Sequence, residues 1–189
     1  MKSIKIDPFT VVGITVRTSN LNGESARDIG ALWSKFMNED ILNKIPNKVS
    51  NDIYVVYTNY DGDHLMPYTT LLGCCVKDLT KVPEKMIGLP FNGGNYEEFI
   101  AKGDLTQKVV YDTWDSIWQQ NLDRNYKADF EVYGVKAVNP KDGEVSIFVG
   151  VRSGQTHALL NSLKLRVIQY TLILLHLELC SNSLDPKLL

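Results

Sequence analysis

The sequence predicts an α+β domain over residues 1–153, built from two βαββ repeats that form an antiparallel sheet with two helices on one face. Three observations predict it. β-Branched and aromatic runs are bounded by Gly, Pro, Asn and Asp, as strands are. Two other segments carry apolar residues at helical spacing. The order strand, helix, strand, strand then occurs twice, and a cleft between two such halves is a natural place for a ligand.

The first repeat opens with a predicted strand over Phe9–Thr18, in which Gly13 marks a bend or a bulge. Ser25 is the predicted N-cap of the following helix, with Asp28 three residues further on. The apolar face of this helix has the spacing i, i+3, i+4 and i+7. It is formed by Ile29, Leu32, Trp33 and Phe36.

Two strands, Ile53–Tyr60 and Tyr68–Lys77, complete the first repeat. Asp61-Gly62 and Pro67 lie between them and predict a hairpin with a long loop. The segment from there to Pro90 carries two prolines and is predicted to be irregular.

The second repeat begins with a predicted strand over Asn95–Gly103. Thr106 or Asp104 can cap a helix that runs to about Leu122. Its apolar face is formed by Val110, Trp114, Ile117 and Trp118. Two strands close the repeat, Asp129–Gly134 and Val145–Val151.

Composition narrows the class of protein. Hydrophobic residues make up 44% and charged residues 22%, and the net charge is −2, so the chain is predicted to be soluble and folded. It has no basic stripe of the kind that nucleic-acid binders use for phosphate contacts, and no direct nucleic-acid partner is predicted. Three cysteines without a CxxC pair and the lack of an apolar leader indicate a reduced, cytoplasmic protein.

Four stretches, in this order and spacing, carry a family resemblance: Val11-Val12-Gly13-Ile14, Gly103-Asp104-Leu105, Asp129-Phe130-Glu131-Val132-Tyr133 and Ile147-Phe148-Val149-Gly150-Val151. Together they resemble the GyrI-like small-molecule binding domain, also called the AraC-type effector-binding domain, over roughly residues 8–151. The family fold is a pair of βαββ units. Its members are ligand-sensing modules of transcription regulators or stand-alone proteins, and this chain is identified as a stand-alone member.

The resemblance implies a cleft lined by aromatic rings with a buried acid that receives cationic or amphipathic ligands. The Phe-Glu-x-Tyr pattern assigns the acid to Glu131. A carboxylate among aromatic rings offers charge pairing and cation–π contact, and desolvation would raise its pKa until a cation binds. Many members carry a second acid where this chain has Ser146, and Glu144 is the candidate substitute.

The other candidate ligand-binding residues are aromatic: Tyr133, Trp114, Trp118, Tyr68, Tyr96 and Phe148. The two tryptophans share a helix face, and core packing and a place in the cleft wall both stay open for them. Tyr68 and Tyr96 are chosen because they lie near strand starts. For Glu131, strand alternation alone leaves two alternatives, the cleft or a solvated face.

No cofactor and no metal are predicted. His64, Asp61 and Asp63 share one loop, where solvated side chains are the expected arrangement. The sequence has no nucleophile elbow, phosphate loop or dinucleotide fingerprint.

Residues 154–189 form a leucine-rich extension that lies outside the resemblance, with a helix predicted within about residues 156–179. Three origins stay open for it: an added helix that packs on the domain or makes a homodimer contact, DNA translated past the usual stop in a mobile gene cassette, or an expression-vector remnant. Its apolar run is too short and interrupted to predict a membrane span.

The leading function hypothesis is a protein that senses or sequesters a small cationic or lipophilic compound, linked to transcription regulation or drug response through a partner. A hydrolase of reactive small molecules, with Glu131 as general base, is the first alternative. A protein-binding inhibitor, as implied by the gyrase-inhibitor relatives, is the second.

Overall fold

Eight antiparallel strands form one sheet in the computed structural model, which describes residues 2–152. The predicted helix and homodimer contact of the C-terminal extension lie outside these residues. The strands are β1 (Lys2–Ile6), β2 (Phe9–Thr18), β3 (Lys48–Thr58), β4 (Tyr68–Val76), β5 (Ile87–Phe91), β6 (Gly94–Gly103), β7 (Ala128–Tyr133) and β8 (Gly143–Val151). The helices are α1 (Glu24–Asn38), α2 (Ile41–Lys44) and α3 (Val109–Trp118), with a 3₁₀ turn at Val135–Ala137.

The strand order is β1-β6-β8-β7-β3-β4-β2-β5. Strands β2, β3 and β4 with α1 form one half of it, and β6, β7 and β8 with α3 form the other. The two halves meet where β7 pairs with β3. The α+β fold class predicted from the sequence is confirmed, and so is the β3–β4 hairpin.

The two edge strands differ from the sequence-based expectation, which had no strand in residues 1–7 and an irregular segment before Pro90. Strand β1 pairs with β6, and β5 pairs with β2. Each edge strand therefore precedes one half in the chain but pairs with the first strand of the other half. Pro90 is tolerated in β5 because an edge strand leaves one side of its backbone unpaired.

Both helices begin at other residues than predicted. Helix α1 follows Gly23, which has a φ of 72° and makes no side-chain cap, so the predicted cap at Ser25 is wrong. The side chain of Asp28 instead accepts a hydrogen bond from Thr18 Oγ1 at 2.9 Å. Helix α3 is shorter than predicted, because Asp104 accepts hydrogen bonds from Thr106 in a turn that precedes it.

Gly13 is explained by close packing of two strands, and not by the predicted bend or bulge. It lies opposite Gly73 in the continuous β2–β4 register. A Cβ added at Gly13 would overlap the carbonyl oxygen of Leu72, and one added at Gly73 would overlap that of Val12. Only glycine permits this approach.

Both long helices cover the same face of the sheet. Val55 on β3 lies opposite Glu131 on β7, which lies opposite Ile147 on β8, and directly opposite residues share a face. Val55 belongs to the buried cluster under α1, and Ile147 to the cluster under α3. Phe130 belongs to a third cluster on the opposite face. Within residues 2–152, the helices are too short or too polar to cross a lipid bilayer.

Candidate ligand-binding site

A cavity of about 210 Å³ lies over the centre of the sheet and is lined by residues of α1, α3, β3, β4, β7 and the β3–β4 loop. Helices α1 and α3 contribute most of its lining residues, and β7 contributes two, Glu131 and Tyr133. All three tryptophans of the chain line it: Trp33, Trp114 and Trp118. Aromatic side chains bury large areas and favour close contact with other rings and with cations.

Glu131 lies at the base of this cavity and is 2% exposed. Its Oε1 accepts hydrogen bonds from the Tyr57 hydroxyl at 2.7 Å and the Trp114 indole N–H at 2.6 Å. Its Oε2 accepts one from the Tyr133 hydroxyl at 2.8 Å. Three of the roughly four acceptor positions of the carboxylate are thus occupied by neutral donors. Within the described part of the chain, no cation forms a salt bridge with Glu131.

Burial raises the pKa of Glu131, because it penalises the charged form, and the three hydrogen bonds oppose that rise. Burial, followed by the nearby Glu131 charge, raises the pKa of both Tyr57 and Tyr133 well above its usual value. The two hydroxyls therefore stay protonated and continue to donate to the carboxylate across the physiological pH range.

The aromatic wall is a chain of ring contacts. The Tyr57 ring packs edge to face against two other rings. The centroid distance is 5.4 Å to Trp114 and 5.8 Å to Tyr68. Trp114 stacks on Trp118 at 6.2 Å, and His64 stacks on Trp118 at 5.4 Å. Each of these rings is therefore in contact with another ring of the same wall.

Asp129 is the second buried acid on this face, two residues before Glu131 on β7, and it differs in having a cation partner. Arg124 Nη2 donates to its Oδ2 at 2.6 Å, and the Tyr60 hydroxyl donates to the same oxygen at 2.8 Å. The backbone N–H of Gly150 donates to Oδ1 at 2.7 Å. This carboxylate is therefore fully paired, whereas that of Glu131 faces the cavity and has no counter-charge among residues 2–152.

Five of the predicted site residues line the cavity: Glu131, Tyr133, Trp114, Trp118 and Tyr68. Trp114 also packs in the cluster under α3 and is 7% exposed. For this residue, the two alternatives that the sequence left open, core packing and a place in the cleft wall, are both realised.

Three predicted site residues lie elsewhere. Tyr96 and Phe148 point to the opposite face, where both pack on the Phe130 ring at centroid distances of 5.3 and 4.7 Å. Glu144 lies at the surface between Lys102 and Lys136. Hydrogen bonds from these two lysines lower its pKa to about 2. Glu144 is not among the residues that line the cavity.

Twelve of the residues that line the cavity were not predicted as site residues, among them Trp33, Tyr57, Tyr60 and Arg124. Trp33 was placed on the apolar face of its helix, and that face includes the cavity. Tyr57 and Tyr60 are two of nine tyrosines, and the sequence contains no signal that separates them from the others. Among the described residues, no group of three His, Cys, Asp or Glu side chains could hold a metal ion.

Comparison with known proteins gives concordant results. The Bacillus subtilis (strain 168) protein named "Putative transcriptional regulator protein YobU" is 29% identical over 155 residues, which cover 78% of this chain and 94% of that protein. The crystal structure of integron cassette protein VCH_CASS2, from the mobile metagenome of Vibrio cholerae, is 28% identical. It has a TM-score of 0.62, over 80% of this chain and 95% of its own.

A further similar structure is that of SAV2435, which was solved bound to tetraphenylphosphonium. It is 15% identical, with a TM-score of 0.68 over 82% of this chain and 96% of its own, and so shows the same fold. The model of the Cass2 family, described as integron-associated effector binding protein, matches residues 4–151. The resemblance to an effector-binding domain is thereby confirmed, and the chain belongs to the family of integron-associated effector binding proteins.

Proposed function

We propose that this protein binds amphipathic or lipophilic cations in the cavity, with the Glu131 carboxylate as counter-charge and the aromatic side chains as the apolar wall. Its role is that of an effector-binding or sequestering protein. One observation carries the proposal: a buried carboxylate faces an aromatic cavity, and all of its hydrogen-bond donors in the described part of the chain are neutral.

The physical reason is a difference between the two buried acids, Asp129 and Glu131, in their charge partners. Removing a carboxylate from water is unfavourable unless a charge partner compensates it. Asp129 has such a partner in Arg124, but Glu131 has none within residues 2–152. A cationic ligand would supply the missing charge in a site of low dielectric, where the attraction is stronger than in water.

The aromatic wall adds selectivity for cations of low hydration. Ring faces carry negative electrostatic potential and attract cations, and they also bury apolar substituents. A small hydrated ion gains little from such a wall. An organic cation with aromatic or alkyl groups gains from both, which fits the tetraphenylphosphonium found on SAV2435.

Tetraphenylphosphonium is therefore the first probe, and the chain carries its own reporter. Because all three tryptophans line the cavity, a ligand that enters it should change the intrinsic tryptophan fluorescence. We expect saturable quenching by tetraphenylphosphonium and none by tetraphenylborate, which has the same shape and the opposite charge. Isothermal titration calorimetry gives the Kd independently.

Glu131→Gln is the decisive variant, because the amide keeps the shape: its oxygen can accept from Tyr57 and Trp114, and its NH2 group can donate to the Tyr133 hydroxyl oxygen. We expect an affinity loss of at least about tenfold, which corresponds to about 1.4 kcal/mol. Glu144→Gln is the matched control, since it removes a carboxylate of the same sheet outside the cavity, and it should leave the Kd unchanged. Equal binding by wild type and Glu131→Gln would refute the proposal.

A regulatory role is the second part of the proposal, and the name of the Bacillus subtilis relative supports it. The net charge of −2 gives no basis for phosphate contacts. We therefore expect that the protein, when it is saturated with tetraphenylphosphonium, does not retard duplex DNA in a mobility-shift assay. A ligand-dependent DNA shift would show direct action on DNA instead.

A further inference from the structure

Arg124 is a buried cation on the cavity wall with unused hydrogen-bond donors. Its side chain is 5% exposed, and its Nη2 is paired with Asp129. Its Nε and Nη1 are buried and have no hydrogen-bond partner among the described residues. The guanidinium carbon lies 4.5 Å from the centroid of the Tyr126 ring, a contact that satisfies none of these N–H groups. Buried donors without partners destabilise a folded protein, and an acceptor on a ligand would remove this cost.

Arg124 has N–H donors that are not used, but its positive charge is balanced. The positive charge of Arg124 is matched by Asp129, whose oxygens also accept from Tyr60 and Gly150. An oxygen atom that accepts from Arg124 would complete the network without needing a charge of its own. A carboxylate on the ligand here would be a third one beside Asp129 and Glu131, with no cation among the described cavity residues left to match it.

His64 also lines the cavity, and its buried Nδ1 has no hydrogen-bond partner within residues 2–152. The loop that carries it is fixed, because the Asn20 side chain donates to the His64 carbonyl oxygen at 2.8 Å and Tyr68 donates to Asn20 at 2.7 Å. Burial, and then the charge of Arg124, lower the pKa of His64, so its ring is neutral at neutral pH. A neutral ring adds polarity to this part of the lining without adding charge.

We propose that the preferred ligands carry, besides the cation, an uncharged hydrogen-bond acceptor, a carbonyl oxygen of an ester or amide, that accepts from Arg124. This inference rests on the proposed function, because it assigns the second polar group of the same ligand. Asp129 and Glu131 are two residues apart on β7, which corresponds to about 6.6 Å along the strand. The acceptor should therefore lie several bonds away from the cationic centre.

Three triphenylphosphonium probes with a chain of equal length test the inference. One carries a pentyl chain, one a 4-carboxybutyl chain and one the methyl ester of that acid. For the wild-type protein at neutral pH, we expect the ester to bind about tenfold more tightly than the pentyl probe, as one hydrogen bond to a charged donor predicts. The ester should also bind more tightly than the acid.

The Arg124→Lys variant tests whether the preference for the ester over the pentyl probe depends on the guanidinium group. Lysine keeps a cation beside Asp129 but lacks Nε and the fixed fork of donors. In this variant, the ratio of the affinity for the ester to that for the pentyl probe should fall to about one. Both affinities are measured on the same variant, so that an effect of the substitution on all ligands cancels in the ratio. Circular dichroism checks the fold, and if the variant fails to fold, the wild-type series decides alone.

Three results would overturn the inference: equal binding of ester and pentyl probes by the wild type, tighter binding of the acid than of the ester, or an ester preference that survives in Arg124→Lys. Failure of the proposed function looks different. If none of the three probes binds the wild type, the proposed function fails and the inference fails with it. If ester and pentyl bind equally and Glu131→Gln weakens both, only the inference on Arg124 fails.

Discussion

Trp114 donates its indole N–H to Oε1 of Glu131 at 2.6 Å, and this bond joins helix α3 to the central strand β7. The same tryptophan contacts the Tyr57 ring, whose hydroxyl donates to the same oxygen. The aromatic wall and the carboxylate are thus one connected unit. A substitution in the wall should therefore change the charge behaviour of the acid as well as the shape of the cavity.

Trp114→Phe tests this connection, since it keeps an aromatic ring and removes the N–H. Losing a donor to the carboxylate should raise the pKa of Glu131 further and lower the unfolding free energy by about 2 kcal/mol. The pH midpoint of tetraphenylphosphonium binding should move upward. Trp118→Phe is the control, because Trp118 lines the cavity but makes no described hydrogen bond to Glu131. Equal pH midpoints in the two variants would contradict the prediction.

Binding of tetraphenylphosphonium should weaken as the pH falls, because the charge of this probe does not depend on pH. Protonation of Glu131 removes the counter-charge, and burial places that protonation above the usual pH range of a glutamate. His64 also lines the cavity, and its protonation would repel a cation. Measuring Kd against pH for wild type and Glu131→Gln separates the two, since any slope left in the variant belongs to His64.

The same raised pKa determines in which direction the unfolding free energy of the ligand-free protein changes with pH. The folded state holds the Glu131 proton more tightly than the unfolded chain does. Its contribution is therefore fully present below the ordinary pKa of glutamate and is lost as the pH rises through the raised value. Urea unfolding of wild type and Glu131→Gln should show this as a difference that grows with pH in favour of the variant. A constant difference would contradict it.

Local sequence patterns were sufficient for the main elements, and they failed where tertiary pairing decides. The β2 and β4 runs are rich in apolar and β-branched residues and were predicted. Strand β1 carries Lys2 and Lys5, and β5 carries Gly88 and Pro90. Such segments have weak strand preference and become strands because a neighbouring edge completes their hydrogen bonds.

The site was predictable only in part, because alternation within a strand does not show which face meets the helices. Glu131 was identified by family resemblance, and its neighbour Phe130 lies on the other face. Tyr96 was chosen for its place near a strand start, but its parity places it with Phe130. Arg124 precedes β7 in an irregular segment, and its pairing with Asp129 depends on tertiary structure alone. The hydrolase and protein-binding alternatives stay predictions.

Asp129→Asn should destabilise the fold far more than removal of a surface carboxylate. The buried Arg124 would lose its counter-charge, and breaking a buried pair from one side costs about 3–5 kcal/mol. Glu144→Gln, which breaks two ion pairs with exposed lysines, should cause a much smaller loss, because such surface pairs contribute little to stability. Urea denaturation of the two variants compares them directly. A loss below about 1 kcal/mol in Asp129→Asn would show that the pair contributes little to stability.

Gly30 lies in the middle of α1 and lines the cavity, and a Cβ added there would meet open space. Glycine within a helix costs about 0.5–1 kcal/mol relative to alanine, so Gly30→Ala should raise the unfolding free energy by that amount. The new methyl group would also narrow the cavity and weaken tetraphenylphosphonium binding. Such a gain in stability with a loss of function is expected where a residue is kept for its site.

Ala31→Gly is the matched control for this last prediction, because Ala31 is the next residue of α1, is exposed and does not line the cavity. It should lower the unfolding free energy by about 0.5–1 kcal/mol and leave the Kd for tetraphenylphosphonium unchanged. Thermal unfolding and fluorescence titration of both variants give the two quantities. If Gly30→Ala stabilises the protein and binds the probe as tightly as wild type, the mouth of the cavity is wider at α1 than the structure indicates. The absence of a side chain at residue 30 would then have no role in admitting the ligand.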